Sequence, residues 1–148
     1  MILNANSAEA WDQIWSNEGE GTPRIYPAIF SRILELVPEG ASVYDIGCGV
    51  GKLLDRLKAE RGCDTAGCDI SSVAVGHAIS KGHKAEVRNV IVDPYFHGYG
   101  EEQYQYGKQF VFEADIVVAT EFLEHLHTNT LKTMLQLLSA QKRKAIFA

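Results

Sequence analysis

Apolar positions along this chain follow two rhythms. Over residues 27–37 they recur at helical spacing, as Phe30, Ile33, Leu34 and Val37, and Pro38-Glu39-Gly40 ends the run. Short apolar runs bounded by turn-forming residues then appear at 42–46, 64–68, 85–90, 115–120 and 144–148, and each predicts a strand. Helical stretches separate them at 52–61, at 71–80 with Ser71 as N-cap and Gly82 beyond its end, and at about 129–139. A short amphipathic helix at 8–15 precedes this alternation, followed by a Gly- and Pro-containing loop at 18–23. Strands alternating with helices predict an α/β fold, a parallel sheet with helices on both faces. Residues 93–113 break the rhythm, being irregular and rich in Gly and Tyr, and loops of that length are usually functional lids or disordered.

The first strand runs into Val43-Tyr44-Asp45-Ile46-Gly47-Cys48-Gly49-Val50-Gly51, where glycine occupies every second position after an acid. Glycine is required where the chain turns with positive φ or where a ligand approaches the backbone closely. The helix at 52–61 is expected to set its N-terminal amides beside that ligand. The dinucleotide fingerprint G-x-G-x-x-G fails, because its third glycine would fall on Lys52. The phosphate loop G-x-x-x-x-G-K-[ST] fails as well, since Ile46 and Leu53 stand where glycine and a hydroxyl are needed.

The remaining pattern, D-x-G-x-G-x-G, resembles the class I S-adenosylmethionine-dependent methyltransferases, and the resemblance covers most of the chain. It implies a Rossmann-like sheet of order 3-2-1-4-5 with its ligand crevice at the carboxyl ends of strands one and four. Gly47, Gly49 and Gly51, with Asp45 and the backbone of Cys48, would hold the methionine end of S-adenosylmethionine, with S-adenosylhomocysteine as product. Asp69, about 20 residues past the loop, is positioned for the ribose diol. Ile70 would pack on the adenine, and Asn89 or Asp93, with Asn89 preferred, would meet its amino group. Thr120 and Glu121, at the end of strand four, would lie beside the cofactor's methyl group.

Beyond that strand, Glu121, Glu124 and His125 form an E-x-x-E-H pattern, which a helical turn would gather on one face. It is similar to the pattern with which ubiquinone-biosynthesis O-methyltransferases and small-RNA 2′-O-methyltransferases hold a divalent metal. Metal-free relatives carry the same letters, so capping and a hydrogen-bonded His125 are preferred here over a metal at Glu121, Glu124 and His125. His125 is the first candidate for a general base and Glu124 the second, because imidazole titrates near neutral pH. The function implied is methyl transfer to a small-molecule acceptor, at oxygen by preference. A SAM-binding protein without transfer and an RNA 2′-O-methyltransferase-like domain are the alternatives.

The chain's 148 residues and 46% hydrophobic content fit one domain with one core. Within it, residues 1–40 are expected to form a helical cap and residues 41–148 the cofactor-binding core. Trp11, Trp15 and Tyr26 either pack that cap or fold it over the crevice as a lid hinged at 22–26. The net charge of −5 disfavours nucleic acid as partner, and Lys142-Arg143-Lys144 reads as a solvated connection. Neither a membrane span nor a signal peptide is evident, and Cys48, Cys63 and Cys68 form no C-x-x-C, so reduced thiols in the cytoplasm are expected. The family's further C-terminal strands are missing after strand five, whose exposed edge points to truncation or to a homo-oligomer.

Overall fold

The computed structural model describes residues 7–18, 27–90, 113–126 and 128–148. Helix α1 (Ala8–Glu18) and helix α2 (Pro27–Leu36) lead into β1 (Ser42–Ile46), α3 (Lys52–Arg61), β2 (Asp64–Asp69), α4 (Ser72–Ser80) and β3 (Lys84–Val87). After the segment 91–112 come β4 (Ile116–Ala119), a 3-10 turn (Leu123–His125), α5 (Thr128–Ala140) and β5 (Lys144–Phe147). The five strands form one sheet in the order β3-β2-β1-β4-β5, every neighbouring pair parallel. The expected Rossmann-like architecture is therefore present. Among the described residues no helix is long and apolar enough to cross a membrane.

Strand alternation builds the core in two layers. Tyr44, Ile46, Val117 and Ala119 point to one face, where Met134, Leu137 and Leu138 of α5 cover them. Val43, Ile116 and Val118 point to the other, against Phe30, Ile33 and Leu34 of α2, Val37, and Leu53 and Leu57 of α3. The central strands β1 and β4 are thus buried almost throughout, whereas β3 and β5 are partly exposed edges. α2 belongs to this core, and its Phe30 also reaches the crevice beside Trp11 and Trp15 of α1.

Element boundaries shift where partners decide them. β3 occupies Lys84–Val87 rather than 85–90, since β2 ends at Asp69, paired with Val87, and the Arg88 amide donates to the Asp69 carbonyl at 2.8 Å. β4 starts at Ile116, and Asp115 just before it is tied to the start of β1, its amide donating to the Ser42 carbonyl at 3.1 Å and its carboxylate accepting from the Ser42 hydroxyl at 2.7 Å. α1 extends to Glu18. The loop at 19–23, Tyr26 with the hinge at 22–26, and the long stretch up to 112 lie outside the described residues.

Candidate functional site

The strand order reverses between β1 and β4, and the crevice opens there, at the carboxyl end of the sheet. Asp45, Gly47, Cys48, Gly49, Asp69 and Ile70 line one part of it. Asn89, Thr120, Glu121 and His125 line the rest, so most of the residues singled out in the sequence converge. Gly51 and Glu124 do not line it; a Cβ on Gly51 would face the His83 ring at 3.1 Å instead. The enclosed space measures about 240 Å³.

The size follows from what fills the glycine hollows. Gly47 has φ 79° and Gly49 φ 53°, and a Cβ at Gly47 would stand 2.7 Å from Phe122 Cδ2. At Gly49 it would stand 2.9 Å from Trp15 Cζ2. Two aromatic rings therefore occupy the cradle that the missing side chains create. Gly67 contributes behind the loop, where a Cβ would meet the Asp45 carbonyl oxygen at 2.8 Å and Cys48 Cβ at 2.9 Å. Its only sequence signal is a glycine inside a strand, a mark of close backbone approach.

The loop's amides are committed within the protein. Gly47 and Cys48 donate to the Cys68 carbonyl at 2.8 and 2.9 Å, and Gly51 donates to the Cys48 carbonyl at 2.9 Å. Gly49 donates to Asp69 Oδ2 at 2.8 Å, and Ser71 donates to Asp69 Oδ1 at 2.9 Å. The amides of Gly47, Cys48 and Gly49 thus hold β1's loop onto β2, and that of Gly51 closes the loop on itself. Each carboxylate oxygen of Asp69 retains acceptor capacity, since an ionised carboxylate offers about four lone-pair sites.

Asp45 is 1% exposed, and its Oδ1 is buried with no hydrogen-bond partner. Burial, and then the charge of Asp69, raise its pKa well above the ordinary carboxylate value. Burial raises Asp69 as well, against the backbone bonds from Ser71 and Gly49 that lower it. Two carboxyl groups facing one crevice in this state suit a ligand bringing positive charge and hydrogen-bond donors.

At the far wall, Glu121 holds a left-handed conformation with φ 51°, fixed by its amide donating to the Ala148 carbonyl at 2.8 Å. Strain of this kind at a non-glycine residue costs of order 1–3 kcal/mol and clusters at functional sites. It also places Glu121 outside the 3-10 turn of Leu123–His125, so the expected gathering of Glu121, Glu124 and His125 on one helical face does not occur. Among the described residues no three His, Cys, Asp or Glu side chains group as a metal would need. His125 Nε2 lies 3.9 Å from Glu124 Oε1, and its ring meets that of Trp11 edge to face, centroids 5.5 Å apart at 83°.

Helix α1 is seated by Asp12. Its Oδ1 accepts from the Ser71 hydroxyl at 2.5 Å and from the Val73 amide at 3.1 Å, and its Oδ2 accepts from the Ser72 hydroxyl at 3.0 Å. The Ser71 bond is the main cause of a lowered Asp12 pKa. Ser71 in turn caps α4 by accepting from the Ala74 amide. With Asp12 anchored there, Trp11 and Trp15, four residues apart, face the crevice. On the loop's other side the buried His83 bridges Thr65 Oγ1 at 3.1 Å and Asp55 at 2.7 Å, while Lys81 reaches the same carboxylate at 2.6 Å.

Residues 19–147 match the model of a family described as a methyltransferase domain. No curated protein matches the chain. Among solved structures, a TehB-like SAM-dependent methyltransferase from Corynebacterium glutamicum is similar with a TM-score of 0.63 at 21% identity, over 95% of this chain and 71% of that one. Phosphoethanolamine N-methyltransferase 2 of Haemonchus contortus, in complex with S-adenosyl-L-methionine, gives 0.65 at 13% identity over 98% of this chain and 33% of its own. A SAM-dependent methyltransferase from Archaeoglobus fulgidus gives 0.60 at 22% identity over 89% of this chain and 53% of its own. The chain thus spans between a third and about seven-tenths of the length of these neighbours.

Proposed function

The chain belongs to the methyltransferase-domain family, whose cofactor is S-adenosylmethionine, and from that membership we propose that it transfers the cofactor's methyl group to a small-molecule acceptor, at an oxygen atom. The observation that carries the reading is the buried, unpartnered Oδ1 of Asp45 beside the glycine cradle, with Asp69 lining the same crevice. An ammonium group answers the first need, and a ribose diol answers the second. One adenosine-bearing amino acid supplies both. Ile70 offers its apolar surface to the base and Asn89 its amide.

When bound, the cofactor supplies a methyl carbon made electrophilic by a positively charged sulfur. The protein's part is placement and proton handling. Thr120 and Glu121 form the wall at the end of β4, and Trp11 and Trp15 of α1 keep water from that end once Trp15 has moved off Gly49. His125, oriented by Trp11, takes the acceptor's proton, and Glu124 stabilises the imidazolium from beside it. Holding donor and acceptor in line accounts for up to about 7–11 kcal/mol of the barrier.

Titration calorimetry with S-adenosylmethionine and S-adenosylhomocysteine, on the wild type and on Asp45→Ala and Asp69→Ala, tests the binding half. The expected result is saturable binding by the wild type that weakens at least about tenfold in each variant, the loss of one charged hydrogen bond. Methyl transfer to hydroxylated small molecules then tests the reaction. A wild type that binds neither compound refutes the proposal, and binding without transfer to any acceptor leaves a cofactor-binding protein.

A further inference from the structure

We propose that Trp15 is an internal competitor for the seat of the cofactor's amino-acid tail, so that α1, as it stands here, shuts the methyl donor out; this rests on the cofactor reading above. Trp11, Ile14 and Trp15 form the apolar stripe of α1, spaced i, i+3 and i+4. Such a stripe needs cover, and Trp15 finds it in the hollow over Gly49, where the absent Cβ would stand 2.9 Å from Cζ2 and 3.2 Å from Cη2. The ring thus lies directly on the backbone, whereas a ligand atom between the two would need about 3.5–4.0 Å on each side. Ring and tail cannot share the hollow. Phe122 covers Gly47 in the same way, and the enclosed space is about 240 Å³. Sites for small molecules ordinarily offer about 300–1,000 Å³, and this one must seat a nucleoside, an amino-acid tail and an acceptor.

Two contacts hold the ring in place, and both come from within one helical turn of it. Asp12, three residues before Trp15, accepts from the hydroxyls of Ser71 and Ser72 and from the Val73 amide at the start of α4, where a helix favours an anion. Trp11, four residues before, meets the His125 ring edge to face. Ser71 also donates its amide to Asp69 Oδ1, so the acid assigned to the ribose is already in place while the tail's seat is covered. Closing over a bound cofactor and excluding it have opposite consequences. A ring that lines the bound tail adds affinity, and its removal weakens binding. A ring that occupies the tail's seat subtracts affinity, because only molecules with the ring displaced can bind, and its removal tightens binding.

The test measures S-adenosylhomocysteine and 5′-methylthioadenosine binding by calorimetry on the wild type, Trp15→Ala and Asp12→Ala, each first checked by thermal melting without ligand. Both ligands carry the nucleoside, and only the first carries the amino-acid tail. Trp15→Ala is expected to lower the dissociation constant of the homocysteine compound at least about tenfold, as when a competent state populated at about 10% or less becomes the main one. The same variant should leave 5′-methylthioadenosine as in the wild type. Asp12→Ala, which keeps the ring but loosens its hold, should tighten the homocysteine compound by about fivefold, the worth of a helix cap, and decides the matter should Trp15→Ala fail to fold. Unchanged or weaker binding of that compound, or equal tightening of both ligands, overturns the competitor while the cofactor reading stands. A wild type that binds neither ligand overturns both.

Discussion

The indole of Trp15 rests on the backbone of Gly49, close enough that a Cβ there would stand 2.9 Å from Cζ2. This contact makes α1 and the glycine loop one unit, since whatever displaces the ring moves the helix and whatever fills the hollow displaces the ring. Asp12 opposes that movement through its bonds to Ser71, Ser72 and Val73.

Gly49→Ala should therefore destabilise for two separable reasons. The left-handed backbone costs about 1–2 kcal/mol for a residue with a Cβ, and overpacking against the ring adds about 1–3 kcal/mol. In a Trp15→Ala background the second part disappears and the first remains. Urea unfolding of the four proteins in a double-mutant cycle reads the difference. Equal costs in both backgrounds would show that the ring does not constrain the loop.

Asp45 gives the stability a pH slope of known sign. Its folded pKa is raised above the unfolded value of about 3.9 by burial and by Asp69, so folding takes up a proton. Its contribution is complete below the unfolded value and is lost as pH climbs toward the raised one. Asp45→Asn, with nothing to titrate, should flatten that slope in urea denaturation series from pH 4 upward, about the value where the unfolded carboxyl ionises. An identical slope in wild type and variant would move its cause elsewhere, with Asp69, also raised, the next group to replace.

Asp12 works in the opposite direction. Its pKa is lowered, first by the Ser71 hydroxyl, so its bonds are at full strength above the unfolded carboxylate value and are lost as pH falls through the folded one. Asp12→Ala removes one set of acceptors from the start of α4 and should cost about 1 kcal/mol, as loss of a helix cap does. Hydrogen exchange distinguishes this from global loss: α1 amides should exchange faster while those of β1 and β4 keep their protection.

His125→Ala should lower methyl-transfer turnover by about 10²–10⁴-fold, the range for loss of a general base, while S-adenosylhomocysteine affinity stays as in the wild type. Trp11→Ala should lower turnover less, because the imidazole loses the edge-to-face partner that orients it but is itself retained. Unchanged turnover without the imidazole would remove His125 from the reaction.

The five strands were legible in the sequence because buried parallel strands read as apolar runs and the glycine pattern fixes where the first one ends, whereas their order followed from the family resemblance. The acids at 45 and 69 were legible for a related reason, each closing an apolar run at the sheet's carboxyl edge. What local letters do not carry is the tertiary partner. Trp15 and Phe122 occupy hollows defined by glycines more than thirty and seventy residues away along the chain, and no spacing rule connects them. The E-x-x-E-H letters suggested one helical face, yet Glu121 takes its conformation beside a bond to Ala148, just past the neighbouring strand β5.

The internal commitment of the amides of Gly47, Cys48, Gly49 and Gly51 has a consequence for competition among metabolites. ATP and NAD share the adenosine of S-adenosylmethionine, and a loop with those donors turned outward would welcome their phosphates. This loop instead turns its donors inward, onto the Cys68 and Cys48 carbonyls and the Asp69 carboxyl group. A phosphate therefore finds no open donor at those four amides, so a common nucleoside handle need not mean a shared occupant.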